Sequence, residues 1–137
     1  ELDEWVNASY TNNPKEPQKL IHKTIPGILV RSKSEALIIN ALFEHKIPFR
    51  YECLLQIQNV SVYPDFTIRH PVTGEVYYWE HFGMMDNEDY YNAVLRKLDA
   101  FEMNQLLIGR DVLLLHESSS APLNTRVLDC YIQEYLV

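Results

Sequence analysis

Apolar residues first recur at helical spacing at Leu37, Ile38, Ala41 and Leu42. The segment Arg31-Ser32-Lys33-Ser34-Glu35 opens that helix, which is expected to run to about Lys46 and to end at Ile47-Pro48. From Tyr51 the pattern changes. Residues 54–58, 62–68 and 75–81 are short runs rich in β-branched and aromatic side chains, as strands are. An Asn-Val-Ser turn separates the first two and His-Pro-Val-Thr-Gly joins the second to the third, which predicts an antiparallel meander. Helical spacing returns over residues 88–104, with Tyr90, Tyr91, Val94, Leu98 and Phe101 on one face. Residues 111–116 form a nearly continuous apolar run, the mark of a strand covered on both faces. A loop over 118–122 leads to Asn124, which is expected to cap a last helix reaching about Tyr135.

The order is helix, three strands, helix, strand, helix. It predicts an α/β fold with a mixed central sheet flanked by helices. Residues 1–30 lack sustained periodicity and hold Asn-Asn-Pro, Glu-Pro and Ile-Pro-Gly, so the chain divides into an extended arm over 1–27 and a domain over 28–137. A length of 137 residues suits one such domain, and 47% apolar content with only four glycines excludes a disordered or repetitive chain. No apolar run approaches the roughly 20 residues that span a bilayer, and no secretory leader is visible, so no membrane partner and a cytoplasmic location are expected. The chain opens on Glu1 instead of methionine, as an excerpt of a longer protein would. Cys53 and Cys130 make no metal-binding spacing with the histidines and read as buried, reduced thiols.

A net charge of −7 is unusual for a nucleic-acid binder, but the charges are unevenly spread. Residues 15–34 carry five basic side chains against Glu16 alone, leaving the remainder strongly acidic. Carboxylates gathered around a divalent cation would account for part of that acidity. Asp65, in the second strand, and Glu80, at the end of the third, belong to one hairpin and would share an ion if the register sets them opposite. Both stand among aromatic residues, where an unpaired charge is costly. Phosphodiester hydrolysis requires an activated water and stabilisation of charge on the phosphoryl and leaving oxygens, and a Mg2+ held by two carboxylates supplies both.

Three further residues lie within reach of that pair. Ser32 and Glu35 fit a capping box, yet Glu35 also begins the inward face Glu35, Ile38, Ile39, Leu42. Lys97 falls within the apolar stripe Tyr90, Val94, Phe101, either as a snorkelling side chain or as an amine held near the carboxylates. His81 reads as a structural histidine or a general base. His22, His45, His70 and His116 look incidental, and the serine run 118–120 reads as plain loop. Walker, dinucleotide-binding, Gly-x-Ser-x-Gly and His-Glu-x-x-His motifs are absent.

Taken together, Arg-Ser-Lys-Ser-Glu (31–35), Tyr-Glu (51–52), Tyr-Pro-Asp-Phe-Thr-Ile (63–68), Tyr-Tyr-Trp-Glu-His-Phe-Gly-Met (77–84) and Arg-Lys-Leu (96–98) resemble the PD-(D/E)XK nuclease superfamily over about residues 28–136. The likeness is greatest to a bacterial branch with a Tyr-Trp-Glu-His third strand, whose domains stand alone or are attached to helicases and other DNA-processing modules. It implies a restriction-endonuclease-like core, with Asp65 and Glu80 as metal ligands, the His81 carbonyl as a third and Glu35 assisting. The superfamily's lysine belongs two residues after Glu80, where Phe82 stands. Lys97 is the first candidate to replace it, then His81, then Lys33. The expectation is a Mg2+- or Mn2+-dependent deoxyribonuclease, an endonuclease or exonuclease, with Lys23, Arg31 and Lys33 on DNA phosphates. A fused or associated helicase or DNA-binding module, or a homodimer, would offset the acidity. The rivals are an inactive nuclease fold that binds nucleic acid or a protein, and a structural subunit whose acidic pair is salt-bridged.

Overall fold

In chain order, the computed structural model of residues 1–137 contains α1 (Leu2–Asn7), a 3-10 turn (Pro17–Lys19), α2 (Lys33–Glu44), β1 (Phe49–Tyr51), β2 (Leu55–Ile57) and β3 (Val60–Val62). There follow β4 (Phe66–Arg69), β5 (Val76–Phe82), α3 (Glu88–Met103), β6 (Val112–His116) and α4 (Thr125–Tyr131), which continues into a π-helical turn (Ile132–Leu136). A mixed sheet has the order β1-β4-β5-β6, antiparallel across its first two pairings and parallel between β5 and β6. The parallel pair is joined through α3, as a crossover connection requires. The mixed α/β architecture expected of the sequence is therefore present.

The strands are divided differently from the expected meander. Residues 54–58 contribute no strand to the main sheet; β2 pairs only with β3, as a separate hairpin. The sheet's first strand is instead β1, set against β4 in the register Tyr51↔Phe66. Two local constraints explain the shift. Gln58 adopts a left-handed conformation (φ 52°), so the chain turns at Gln58-Asn59, ahead of the expected Asn-Val-Ser turn. Pro64 then interrupts the run over 62–68, since it has no N–H to extend a ladder. Asp65 consequently lies in the bend just before β4 and not within a strand.

Each sheet face is covered by its own layer. Trp79, Phe66, Ile68, Leu113 and Leu115 pack with Ile38, Ile39 and Leu42 of α2 and with Leu128, Ile132 and Leu136. On the other face Tyr78, Val112 and Leu114 meet Phe101 of α3 and Val62 of the hairpin. Strand β6 thus contributes to both layers, as its continuous apolar run implies. In α2 the inward face is Glu35, Ile38, Ile39 and Leu42, whereas Leu37 remains 45% exposed. Asn124 caps α4 by accepting from the Arg126 and Val127 N–H groups. No helix is long and apolar enough to cross a membrane. Cys53 is buried, but Cys130 is exposed, contrary to the expectation of two buried thiols.

The N-terminal segment is tied into the domain more closely than an extended arm would be. Arg50 lies over the Trp5 ring at 4.3 Å from its centroid and donates to the Trp5 carbonyl at 2.9 Å. Asn12 bridges to Cys53 and His22 to Val30, while Leu20 and Ile28 pack on the main core. Trp5→Ala is expected to destabilise the fold by about 1–2 kcal/mol and to raise amide exchange across residues 1–13. Exchange unchanged from wild type would show that the segment contributes no stability.

Candidate functional site

Beyond the Phe66↔Trp79 pair, the next residues are Asp65, in the bend before β4, and Glu80 of β5. Each uses its carboxylate to hold a backbone N–H of the opposite segment. Glu80 Oε2 accepts from Asp65 N–H at 2.8 Å, and Asp65 Oδ2 accepts from His81 N–H at 2.7 Å. The register that was needed for the two side chains to converge is therefore realised.

Lys97 projects from α3 onto this pair. Its ammonium makes an ion pair with Glu80 Oε1, lies 3.9 Å from Asp65 Oδ1 and donates to the Tyr63 carbonyl at 3.1 Å. The buried Oε1 has the Lys97 ammonium as its partner. Glu80 is 0% exposed and the Lys97 side chain 27% exposed, which places the amine between the buried carboxylate and solvent. Burial drives the Glu80 carboxyl above its ordinary range and the Asp65 charge adds to that, with Lys97 opposing both. Burial alone would lower the Lys97 amine, but Glu80 and Asp65 outweigh it and hold the amine above its usual value.

An open cleft of about 690 Å³ lies above the pair and is lined by Glu35, Asp65, His81, Tyr90 and Lys97, among others. Ser32 caps α2 through the Glu35 N–H at 3.1 Å, but the Glu35 carboxylate is not used in a reciprocal capping box. It accepts instead from the Tyr51 hydroxyl at 3.0 Å and from Arg31 N–H at 3.1 Å, facing the cleft while 7% exposed. Burial and the Asp65 charge push it up to about 7. His81 turns its ring to Glu117, with Nε2 2.7 Å from Oε1, and Ser34 donates to the same oxygen. Burial would raise Glu117, yet these contacts and the Leu123 N–H leave it below its ordinary range.

The three candidate phosphate contacts fare differently. Arg31 is committed to Glu52, with Nε at 2.7 Å from Oε2 and Nη2 at 3.0 Å from Oε1, and to the Lys15 and Glu16 carbonyls. It braces the cleft wall and offers no free fork to a phosphate. Lys23 and Lys33 are exposed and do not line the cleft. Lys15 and Lys19 do line it, although Lys19 pairs with Glu16 at 3.2 Å. Their place within the basic stretch 15–34 was visible in the sequence, but which lysines face the cleft was not. Glu52 and Glu117 were missed as site residues. Glu52 was marked only by the Tyr-Glu pair entering the sheet, and Glu117 by nothing in its local sequence.

Asp65 and Glu80 bring together two carboxylates, the hard oxygen donors that Mg2+ or Mn2+ takes. Asp65 Oδ1 and Glu80 Oε1 are the two pair oxygens not held by backbone N–H groups, and both face the Lys97 ammonium. They fit a cation that completes its shell with water or substrate oxygens. No three His, Cys, Asp or Glu side chains are assembled as a full coordination set.

The raised Glu35 carboxyl sets a direction for stability against pH. Folded protein holds that proton up to about 7, whereas an ordinary glutamate releases it near 4.5, so this contribution is complete below 4.5 and is lost as pH rises through 7. Chemical denaturation of wild type and Glu35→Gln at pH 5 and pH 8 is expected to show the variant gaining up to about 3 kcal/mol relative to wild type at the higher pH. An equal pH response in both proteins would contradict a buried, protonated Glu35.

The chain matches no family model, no curated protein and no solved structure.

Proposed function

We propose that this domain is a Mg2+- or Mn2+-dependent deoxyribonuclease with a restriction-endonuclease-like core. One observation supports the reading: Lys97 of α3 meets both Asp65 and Glu80, where it would stand in for the lysine that the resemblance expects at Phe82. The element order and the mixed sheet suit that core, and the sequence resemblance to the PD-(D/E)XK superfamily points to the same residues.

Asp65 and Glu80 would hold the ion, which when bound supplies positive charge against the phosphoryl and leaving oxygens. The reciprocal N–H contacts fix both carboxylates on rigid backbone, so their geometry does not depend on long flexible side chains. Lys97 brings a permanent positive charge to the cleft, suited to a phosphate oxygen. Glu35, poised near neutrality, can hold or release a proton at its carboxyl beside the same cleft. Lys15 and Lys19 on the cleft wall are better placed than Lys23, Arg31 or Lys33 to meet DNA phosphates. A helicase, a fused DNA-binding module or a second copy of the chain would supplement that modest basic surface.

A second reading is favoured by the same ion pair. With Glu80 already countered by Lys97, and Arg31 by Glu52, the domain can stand without an ion and serve as an inactive nucleic-acid- or protein-binding module. The deciding experiment incubates labelled single-stranded, duplex and branched DNA with the protein in Mg2+, Mn2+ or EDTA. Cleavage is expected only with metal, falling by about 10²-fold or more in Asp65→Asn, Glu80→Gln and Lys97→Ala. DNA binding without cleavage by the wild type supports the binding module, and neither activity leaves a structural salt-bridged pair. Full cleavage by Lys97→Ala would remove Lys97 from the mechanism.

A further inference from the structure

The oxygens that would take a cation are the ones that the lysine already occupies. Asp65 Oδ2 and Glu80 Oε2 are tied to backbone N–H groups, so only Asp65 Oδ1 and Glu80 Oε1 remain as donors from the pair. Both face the Lys97 ammonium, which contacts Oε1 and stands 3.9 Å from Oδ1. Glu80 is wholly buried and Oε1 has no solvent contact, while the partly exposed lysine lies on the cleft side of it. A Mg2+ ion sits about 2 Å from its oxygen ligands, so an ion on Oε1 and the present ammonium would be like charges at contact distance. Coexistence in that low-dielectric pocket is strongly unfavourable.

We propose that the Lys97 ammonium and a divalent cation are alternative occupants of the space between Glu80 Oε1 and Asp65 Oδ1. The lysine then acts as a built-in competitor that sets cation affinity and leaves for the cleft when the ion enters. This inference rests on the metal-site reading above and concerns how that site is regulated. Without the ion, Lys97 keeps Glu80 from being an uncompensated buried charge, which stabilises the fold. Once displaced, the amine has the Tyr63 carbonyl beside it and open cleft in front, where an anionic phosphate group would restore its charge balance. Cation binding and phosphate binding would thereby support one another.

Binding of Mn2+ is measured directly, by titration calorimetry and by the loss of its free-ion electron paramagnetic resonance signal, at pH 8 without DNA. The proteins are wild type, the neutral variants Lys97→Met and Lys97→Gln, and the charge-preserving Lys97→Arg, each first checked for a cooperative thermal transition. Both neutral variants are expected to bind Mn2+ at least tenfold more tightly than wild type, with Lys97→Arg within about threefold of wild type. Lys97→Gln keeps the test available if the apolar variant fails to fold. Neutral variants that bind no more tightly than wild type would overturn the competition. If wild type still binds Mn2+ and cleaves DNA in that case, the metal-site reading stands and only the competition falls. Absence of both Mn2+ binding and cleavage in every form overturns the two together.

Discussion

Between β4 and β5 the hydrogen-bond ladder gives way to two carboxylates. Asp65 N–H is held by Glu80, and His81 N–H by Asp65, so each side chain replaces a backbone carbonyl of the opposite segment. The arrangement satisfies two N–H donors where Pro64 has ended the regular pairing, and it does so with charged groups at the edge of a hydrophobic core. Neither carboxylate can leave without orphaning an N–H. The rest of the site is organised around that constraint, because a wholly buried Glu80 demands a positive partner and α3 must be placed to deliver Lys97.

Charge does not balance locally with Lys97 alone. Glu35 faces the same cleft from α2, raised by its burial and by Asp65, and is steadied by the Tyr51 hydroxyl. Around the rim, Glu52 is matched by Arg31, and Glu117 gathers Ser34, His81 and the Leu123 N–H. The surplus is thus confined to the trio Glu35, Asp65 and Glu80 against one amine. Proton uptake relieves that surplus, and Glu35, pushed up to about 7, is placed to take the proton.

The segments outside the sheet serve that pocket as well. The carbonyls of residues 15 and 16 accept from the Arg31 guanidinium, which ties that stretch of backbone to the cleft wall. The β2–β3 hairpin sends Val62 against Phe101 and so helps seat α3, the helix that bears Lys97. The arm and the crossover helix each carry one edge of the site, and the hairpin packs behind the helix.

Local pattern was sufficient for four elements: helical spacing for α2 and α3, a continuous apolar run for β6 and the Asn124 cap for the last helix. The aromatic setting of Asp65 and Glu80 likewise marked an acidic pair in need of partners, of which Glu80 is buried and Asp65 partly exposed. Short strands were less legible: residues 54–58 have strand composition whether they join the main sheet or a side hairpin, and a left-handed Gln58 and Pro64 decide between them. Long-range electrostatics were beyond local pattern altogether. That Arg31 is consumed by Glu52, that Glu117 meets His81, and that Lys97 reaches Glu80 depend on distances between residues far apart in the chain. The sequence determined which groups must find partners, through the cost of burying charge; only the tertiary structure decided which partners they found, because that choice is made by sheet register and helix placement.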